Sequence, residues 1–438
     1  MLTSKKKFYT MTQNERLQYL RSEVGLSEQD LDILREPLAE FSFSKANRMA
    51  ENVISVLAIP LGVAVNFVIN GKKYFVPMAT EEPSVIAAAS KAAKIAGRVG
   101  GFVAEAGEPL MLGQLQITSV GDRSSEAKKK IFLNKKKLLQ IANSKSRSVN
   151  AIDLQVRELD DKSQCNMGTM LILELIVDTK DAMGANIVNT MCESIAPEVE
   201  KITSGQVIIK IVSNYATKRL VKCRAVFAKH LLGNKDIVDR IMCAYAFAYS
   251  DVYRAVTHNK GIMNGIDAVA IATGQDFRAI EAGAHAYAAR DGTYRSMTRW
   301  HKTKEGDLEG ELEIPMAVGI VGGVTSVNPI AKTGLKILRV QSSKELAIVL
   351  AATGLAQNLA ALLALASEGI QKGHMRLHAR NVAVVAGAKE DQIDLVAKTI
   401  SDERNVNVNR AKAVVDSLNK KNSPITTNND NNNIYTGF

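Results

Sequence analysis

The feature that most constrains the fold of this 438-residue chain is an apolar run at 346–366, LAIVLAATGLAQNLAALLALA. A run of this length either crosses a membrane or lies in the core of a large domain, because so many apolar side chains are unstable in water. Gln357 and Asn358 stand near its middle. Polar amides are costly in a lone membrane span, whereas a buried helix can give them hydrogen-bond partners. The run therefore predicts the central helix of a soluble domain, and we expect no membrane partner.

Chain length and cysteine usage are typical of a multidomain cytoplasmic protein. A chain this long exceeds the size of one hydrophobic core, so two or three domains are expected. The four cysteines form no Cys-x-x-Cys pair, which indicates reduced thiols rather than a disulfide framework or a metal site. The N-terminal lysines are not followed by an apolar stretch, so no secretory signal is predicted.

The net charge of +11 is concentrated at 128–147, where eight basic residues occur without an acidic one. A groove for nucleic acid is one interpretation, although Phe132 is the only aromatic residue that could stack on a base. Ile131, Leu138 and Ile141 recur at helical spacing, so an amphipathic helix with a solvated basic face is a second. A surface for a small, phosphate-rich ligand is the third. The segment alone does not decide among them.

Periodicity divides the chain into helical and mixed regions. Residues 12–58 are predicted to be mainly helical, and Asn70-Gly71 predicts a hairpin between two alternating strands. Strands and helices alternate between about Leu112 and Asn214, which indicates a compact α/β unit. The chain is predicted to be helix-rich after that point, and the Asn-rich tail is predicted to be disordered.

Three charged residues at two places in the chain are candidates for chemistry. Glu81 and Glu82 stand where a strand gives way to a helix, so one carboxylate can cap the helix while the other points elsewhere; two ordinary first-turn acids are the alternative. Lys260 lies between the turn-forming sequences HNKG and MNGID, so we expect it on a constrained loop. There it would stabilise an oxyanion or, deprotonated, form a Schiff base; a solvated surface lysine is the alternative.

Two further stretches carry weaker signals. His374 and His378 are four residues apart, but no glutamate follows the first histidine, so a His-Glu-x-x-His zinc site is excluded and no metal is expected. His374 at the start of a helix suits protonation of a leaving group, with a structural histidine as the alternative. Asp181 is predicted to be the N-cap of a helix whose open N–H groups can bind phosphate.

Together, four stretches resemble 3-hydroxy-3-methylglutaryl-coenzyme A (HMG-CoA) reductase of the soluble, microbial class II. They are PMATEEPSVIAAAS, DAMGANIVNTM, HNKGIMNGIDAVAIATGQDFRAIEAGAHAYAAR and GHMRLHARN, in that order, and the resemblance spans about 51–381. It implies a four-electron reduction of HMG-CoA to mevalonate, with two nicotinamide hydrides and release of coenzyme A. Gln275, where the family pattern has asparagine, and Ser55, where it has glycine, are the departures.

The resemblance also implies an α+β fold. A helix-rich large domain (1–110 and 217–371) would carry an inserted ferredoxin-like α/β domain that binds the cofactor (111–216). A small helical C-terminal flap (372–421) and the disordered tail (422–438) would follow. By the same resemblance the active site lies at the interface of a homodimer, which can belong to a larger oligomer.

Catalytic roles carry over by resemblance to four positions. Lys260 matches the cation that stabilises the oxyanion, and Asp276 matches the aspartate that pairs with it. Glu82 matches the acid that protonates the carbonyl oxygen of mevaldehyde, the intermediate between HMG-CoA and mevalonate. His374 matches the histidine that protonates the departing thiolate.

Substrate and cofactor contacts carry over in the same way. Arg254 matches the guanidinium that clamps the substrate carboxylate. The other matches to the substrate pocket are Ser84, Asn264 and Gln357. The matches to the dinucleotide site are Asp181, Met183, Gly184, Asn186 and Asn214.

The cofactor is predicted to be NADPH, with NADH as the alternative. In NAD-preferring relatives an aspartate near the end of a preceding helix binds the ribose 2′-OH. Here that region contains Asn143, followed by Lys145 and Arg147. Compared with NAD-preferring relatives, this region lacks the aspartate and has two cations instead, which favours binding of the 2′-phosphate of NADPH. Two other functions stay open: a Schiff-base lyase that uses Lys260, and a nucleic-acid-binding protein that uses 128–147. The reductase hypothesis requires no nucleic acid.

Overall fold

The computed structural model describes residues 6–367 and 370–421; the side chains of 39–40, 370–377 and 420–421 lie outside that description. The chain divides into two compact units, Met1–Ser367 and Glu368–Phe438. Helix and strand are mixed in the first unit. The predicted disordered tail, 422–438, lies outside the described residues.

Ten strands are described, all in the first unit. They are β1 (Leu61–Ile69), β2 (Lys72–Ala79), β3 (Phe102–Ala106), β4 (Leu110–Thr118), β5 (Asn150–Asp160), β6 (Thr169–Asp178), β7 (Gln206–Ser213), β8 (Leu220–Phe227), β9 (Thr298–Lys302) and β10 (Leu308–Pro315).

The described α-helices of the first unit connect and cover these strands. They are α1 (Gln13–Val24), α2 (Glu28–Arg35), α3 (Pro37–Glu40), α4 (Phe43–Ala46), α5 (Val85–Ala96), α6 (Ser124–Leu133), α7 (Lys135–Asn143), α8 (Ala185–Thr203), α9 (Lys229–Leu232), α10 (Ile237–Ser250), α11 (Val252–Ala272), α12 (Phe277–Ala288), α13 (Gly323–Val327), α14 (Pro329–Leu338) and α15 (Ser343–Ala366). Short 3-10 helices lie at Phe8–Thr10, Gly97–Val99 and Gly121–Arg123.

The larger sheet has six strands in the order β2-β1-β3-β8-β10-β9. Its first hairpin turns at Asn70 and Gly71, whose φ values of 50° and 77° are those of a two-residue hairpin turn. The predicted hairpin is therefore confirmed. The prediction of a helix-rich region after Asn214 was incomplete, because β8, β9 and β10 belong to this sheet.

Helix α15 is the core of the first unit. It is long and apolar enough to cross a membrane, but 83% of its most apolar stretch of residues is buried inside the described structure. Asn358 is 1% exposed and accepts from Trp300 Nε1 and Thr298 Oγ1, both at 2.9 Å. Its Nδ2 lies 3.1 Å from Nε2 of His258, whose pKa is lowered to about 3 by burial and by the charge of Arg254. The amides inside the apolar run thus belong to a buried core helix.

The smaller sheet has four antiparallel strands in the order β5-β6-β4-β7. Helices α6, α7 and α8 pack against it. The basic segment forms α6 and α7, interrupted at Asn134, rather than one helix. Ile131 and Leu138 are fully buried, which agrees with an amphipathic structure and a solvated basic face.

The second unit is helical where it is described. It contains α16 (Ile370–Val385), α17 (Ile393–Asp402) and α18 (Val408–Lys421). Ala383, Val396, Ile400 and Ala411 form part of a separate hydrophobic core.

Candidate active site

Lys260 lies in the middle of α11, so its predicted loop position was wrong. The glycines that suggested turns instead allow two helices to approach. A Cβ on Gly265 would lie 2.9 Å from both Cβ of Gln357 and the carbonyl oxygen of Thr353. The close contact between α11 and α15 therefore requires glycine at position 265. Helix α11 continues through this residue without a turn.

Lys260, Asn264 and Glu82 form the centre of the candidate site. Lys260 and Asn264 are four residues apart on α11 and share a face of the helix. The Lys260 ammonium lies 2.6 Å from Oε2 of Glu82, and Asn264 Nδ2 donates to the same oxygen at 3.3 Å. The side chains of Lys260 and Glu82 are 59% and 35% exposed, so a cation and a carboxylate meet where a ligand can reach them.

The strand-to-helix junction that carries Glu82 differs from the prediction. Neither Glu81 nor Glu82 caps α5. The N-cap is Ser84, which has a φ of 75° and makes no side-chain capping bond. A positive φ at a residue other than glycine is uncommon and is often found at functional sites. The chain reverses sharply here and leaves Glu82 directed at Lys260.

Gln357 and Ser84 border the same region. Gln357 is 6% exposed, and its Oε1 is buried without a hydrogen-bond partner. A buried acceptor left unpaired is costly, so a ligand donor would stabilise it. Ser84 lines a cleft of about 240 Å³ between α5 and α15, together with Leu359 and Leu363.

Arg254 lies on the first turn of α11, six residues before Lys260. Asp251 caps this helix by accepting from the Arg254 backbone N–H at 2.7 Å. The guanidinium is half-buried, and burial lowers its pKa. In the described structure no carboxylate pairs with it, so it retains the capacity to bind an acidic ligand.

Asp276 does not meet Lys260 within one chain. It is the N-cap of α12 and accepts from the Ala279 backbone N–H at 3.0 Å. The preceding residue, Gln275, donates its backbone N–H to the carbonyl of Ala270 at 2.8 Å. Ala270 is ten residues beyond Lys260 on one helix, or about 15 Å along its axis. In the described structure Lys260 pairs with Glu82, Asp276 lies 3.8 Å from Arg278, and no hydrogen bond or ion pair joins Lys260 to Asp276.

A glycine-rich segment at 318–323, which sequence reasoning missed, contacts Gln275, the residue before Asp276. Gln275 Oε1 accepts from the Gly319 backbone N–H at 2.9 Å. A Cβ on Gly319 would lie 2.4 Å from the Met183 backbone nitrogen. The cluster of glycines in VGIVGG was the available signal of a close backbone approach.

The predicted dinucleotide contacts meet at one end of the smaller sheet. Asp178, the last residue of β6, pairs with Asn150 at the start of β5 and with Leu110 at the start of β4. Ser213, at the end of β7, pairs with Leu112. The register therefore places 143–147, 181–186 and Asn214 at the same end.

The predicted N-cap role of Asp181 was wrong. Helix α8 begins at Ala185, and its N-cap is Gly184 with a φ of 102° and no side-chain cap. Asp181 Oδ1 instead accepts from the Ser343 backbone N–H at 2.8 Å. A Cβ on Gly184 would lie 2.3 Å from Cγ2 of Thr179. An uncapped helix N-terminus beside the exposed Asn186 can bind an anionic group.

The three residues predicted to select the cofactor differ in their surroundings. The Asn143 amide holds β5, donating to the carbonyl of Ala151 at 3.0 Å and accepting from its N–H at 2.7 Å. Lys145 and Arg147 are exposed, and no acidic partner is described for either. They are therefore available to an external anion, whereas Asn143 is engaged within the fold.

His374 belongs to α16, but its side chain lies outside the described residues. Its predicted role therefore stays a prediction. All four cysteines, Cys165, Cys192, Cys223 and Cys243, are free. Within the described part of the chain, no group of three or more His, Cys, Asp or Glu side chains is arranged to hold a metal ion.

Comparison with known proteins decides the family. The model of the hydroxymethylglutaryl-coenzyme A reductase family matches residues 12–379. The chain belongs to this family. HMG-CoA reductase of Archaeoglobus fulgidus is 49% identical over an alignment of 417 residues that covers 94% of each chain.

Solved HMG-CoA reductases have the same fold. The enzyme from Streptococcus pneumoniae superposes with a TM-score of 0.79 and 39% identity, covering 95% of this chain and all of that one. A class II reductase of the same organism, bound to NADPH in open conformations, gives a TM-score of 0.78 with 40% identity. That match covers 83% of this chain and all of the other. The resemblance to class II reductases is therefore confirmed.

Proposed function

We propose that this chain reduces HMG-CoA to mevalonate, using two NADPH and releasing coenzyme A. The contact between the Lys260 ammonium and Glu82 Oε2, at 2.6 Å, carries the proposal. It brings together a fixed cation and a carboxylate that can take a proton from solvent and pass it to the substrate, and reduction of a carbonyl needs both a cation and a proton donor. Family membership supports the same reaction.

Lys260 stabilises the oxyanion that forms at the thioester carbonyl. Bound NADPH supplies the hydride. Lys260 is held by Glu82 and extends into an exposed region, so the ammonium is oriented before negative charge develops. Asn264 donates to the same Glu82 oxygen and fixes the carboxylate from a second direction. A donor placed in advance lowers the barrier more than one that must reorganise.

Glu82 and His374 divide the proton transfers. The first reduction converts the thioester into a hemithioacetal. When this intermediate collapses, His374 protonates the departing thiolate of coenzyme A, and mevaldehyde remains. Glu82 then protonates the mevaldehyde oxygen during the second reduction. Arg254 binds the free carboxylate of the substrate, and Ser84, Asn264 and Gln357 bind its polar groups. The unpaired Oε1 of Gln357 supports this placement.

Met183, Gly184 and Asn186 at the start of α8 bind the dinucleotide, together with Asn214 at the end of β7. The uncapped helix N-terminus suits a pyrophosphate. Lys145 and Arg147 bind the 2′-phosphate, which favours NADPH over NADH. Equal kcat/KM values for the two cofactors, with no change on replacing both basic residues by alanine, would contradict this preference. Asp181 acts indirectly, by fixing this loop to α15, and no metal takes part.

The smaller sheet forms the inserted ferredoxin-like domain at 111–216. Its elements follow the order β-α-β-β-α-β if α6 and α7 count as one helical layer, and its strand order β5-β6-β4-β7 fits that motif. The large domain comprises 1–110 and 217–371, and 372–421 is the flap. Expression of 111–216 alone tests the boundary: an unfolded fragment that cannot bind NADPH would count against it.

The active site is shared between two copies of the chain. Lys260 and Asp276 form no ion pair with each other within one chain, where their charged partners are Glu82 and Arg278, so a pair between them requires Asp276 of one protomer and Lys260 of its partner. A homodimer with two such sites follows, alone or within a larger oligomer. Mixed dimers of Lys260→Ala and Asp276→Ala chains then contain one intact site each.

Mixing the two inactive variants by co-expression should restore roughly a quarter of wild-type activity, because half of the dimers are mixed and each has one intact site. If both residues acted within one chain, every site would lack one of them. No recovery above the separate variants would therefore refute the shared site. Co-expression of two copies of the same variant is the control.

The reaction is tested by following NADPH oxidation that depends on HMG-CoA. A purified wild-type protein without turnover would refute the proposal. We infer a cytoplasmic enzyme, and recovery of the native protein in the membrane fraction of its cell would contradict this. A Schiff-base lyase is disfavoured because Lys260 is engaged as a donor to Glu82, and borohydride trapping of substrate on Lys260 would revive it.

The nucleic-acid hypothesis is weakened by local ion pairs in the basic segment. Lys130 pairs with Glu126 at 2.7 Å, and Lys137 pairs with Glu198 at 2.8 Å. Lys135 pairs with Asp153. Part of the positive charge is therefore neutralised within the fold. Salt-sensitive binding to nucleic acid would be needed to restore this hypothesis.

A further inference from the structure

Arg219 is a buried cation beneath the loop at 179–184. It immediately precedes β8 and is 4% exposed. Its Nη1 donates to Thr179 Oγ1 at 3.2 Å, to the Ala182 carbonyl at 3.2 Å and to the Met183 carbonyl at 3.4 Å. Its Nη2 donates to the carbonyl of Val318. Four acceptors on two segments are thus held by one guanidinium.

These acceptors lie where the chain passes between the two sheets. Thr179, Ala182 and Met183 follow β6 of the smaller sheet, whereas Val318 follows β10 of the larger sheet. Thr179 also donates to the Pro109 carbonyl, from its backbone N–H and from its hydroxyl, each at 3.0 Å. Arg219 therefore fixes the loop to both sheets at their junction.

The charge of Arg219 is not neutralised by a contacting carboxylate in the described structure. Burial lowers its pKa to about 10, and the more distant charges of Asp181 and Asp178 oppose that shift, so the group is cationic at neutral pH. Burying a cation without a paired anion is costly. A neutral donor could bond these carbonyls at lower cost, so the retained charge suggests a second role beyond bonding.

We propose that Arg219 is a positioning residue for the dinucleotide. Its planar fork holds the 182–183 carbonyls so that the N–H groups at the start of α8 face the ligand. Its charge lies beneath the site and favours an anionic dinucleotide. This inference rests on the proposed use of NADPH at that loop, and it concerns binding rather than chemistry.

Arg219→Met and Arg219→Lys separate the two contributions. Methionine removes charge and donors, whereas lysine keeps the charge but loses the planar fork. We expect the Kd for NADPH to rise at least about tenfold in Arg219→Met, the size of one lost hydrogen bond to a charged group. Arg219→Lys should show a smaller rise. The KM for HMG-CoA should stay within about twofold, because Lys260 and Gln357 are not touched.

The matched control is Arg224→Met on β8, the strand that Arg219 precedes. The Arg224 guanidinium is 62% exposed and lies 3.7 Å from Glu309, and it is not among the residues proposed to contact the cofactor. We expect wild-type NADPH affinity and turnover. Binding is measured by titration with NADPH in the absence of HMG-CoA, so it does not depend on catalysis. Thermal unfolding of each variant reports the folded fraction.

The outcomes distinguish this inference from the proposed reaction. Weakened NADPH binding in both variants with an unchanged KM for HMG-CoA supports the role of Arg219. An Arg219→Lys protein that folds and binds NADPH as tightly as wild type overturns it. Variants whose folded fraction or kcat falls while their Kd for NADPH stays at the wild-type value overturn it as well. A wild-type protein that binds NADPH without reducing HMG-CoA refutes the reaction but leaves this test valid. Absence of NADPH binding by wild type overturns both.

Discussion

Replacing Lys260 by alanine should abolish most activity while leaving stability nearly unchanged. The pair with Glu82 is solvent-exposed, with side chains 59% and 35% accessible. Exposed ion pairs contribute about 0–1 kcal/mol to folding, and alanine is at least as good a helix former as lysine. The free energy of unfolding should therefore change by less than about 1 kcal/mol.

The effect on turnover should be much larger. Removing one preorganised oxyanion donor raises the barrier by about 2.7–4 kcal/mol, or roughly a hundred- to a thousandfold in kcat. HMG-CoA-dependent NADPH oxidation and urea unfolding should be measured on the same preparations. The control is Lys302→Ala, because Lys302 forms a comparable exposed pair with Asp239 on a strand edge. That variant should lose neither activity nor more than about 1 kcal/mol of stability.

Two results would refute this reasoning. Undiminished turnover of Lys260→Ala would show that another group stabilises the oxyanion. A loss of activity that parallels a loss of folded protein would show that Lys260 is structural. Only a large kinetic effect at nearly constant stability agrees with the proposed role.

The remaining predictions concern proton transfer and pH. His374→Gln should impair thioester reduction but largely spare reduction of added mevaldehyde, which needs no thiolate protonation; equal loss of both would refute that role. Desolvation and the adjacent Glu281 raise the pKa of Asp267 to about 9, which is above the pKa of this group in the unfolded chain. Since the unfolded state therefore loses its proton at lower pH, the free energy of unfolding should fall as pH rises from about 4 to 9. Asp267→Asn, which mimics the neutral form, should show a shallower decline in urea unfolding between pH 5 and 9, and an unchanged slope would contradict this.

Local patterns predicted those parts of the fold in which one segment determines its own structure. The Asn70-Gly71 turn and the core helix α15 are examples. Strand β8 has the alternating pattern of a strand, since every second residue is buried: Val221, Cys223, Ala225 and Phe227. It was not predicted, because the region after Asn214 was interpreted as helical.

Contacts between distant segments could not be read from periodicity. Gly265 was interpreted as a turn signal because its packing partner, Gln357, lies on another helix. The contact of Lys260 with Glu82 joins positions 178 residues apart, and only the family resemblance related them. Arg219 was not predicted, since nothing local marks an arginine that will be buried.

The central claim is tested most directly by stoichiometry. NADPH consumed and free coenzyme A released should be counted in one reaction with limiting HMG-CoA. We predict two NADPH oxidised for each coenzyme A, with mevalonate as the product. A ratio of one with mevaldehyde accumulating, or release of coenzyme A without NADPH oxidation, would contradict a complete two-step reduction by this chain.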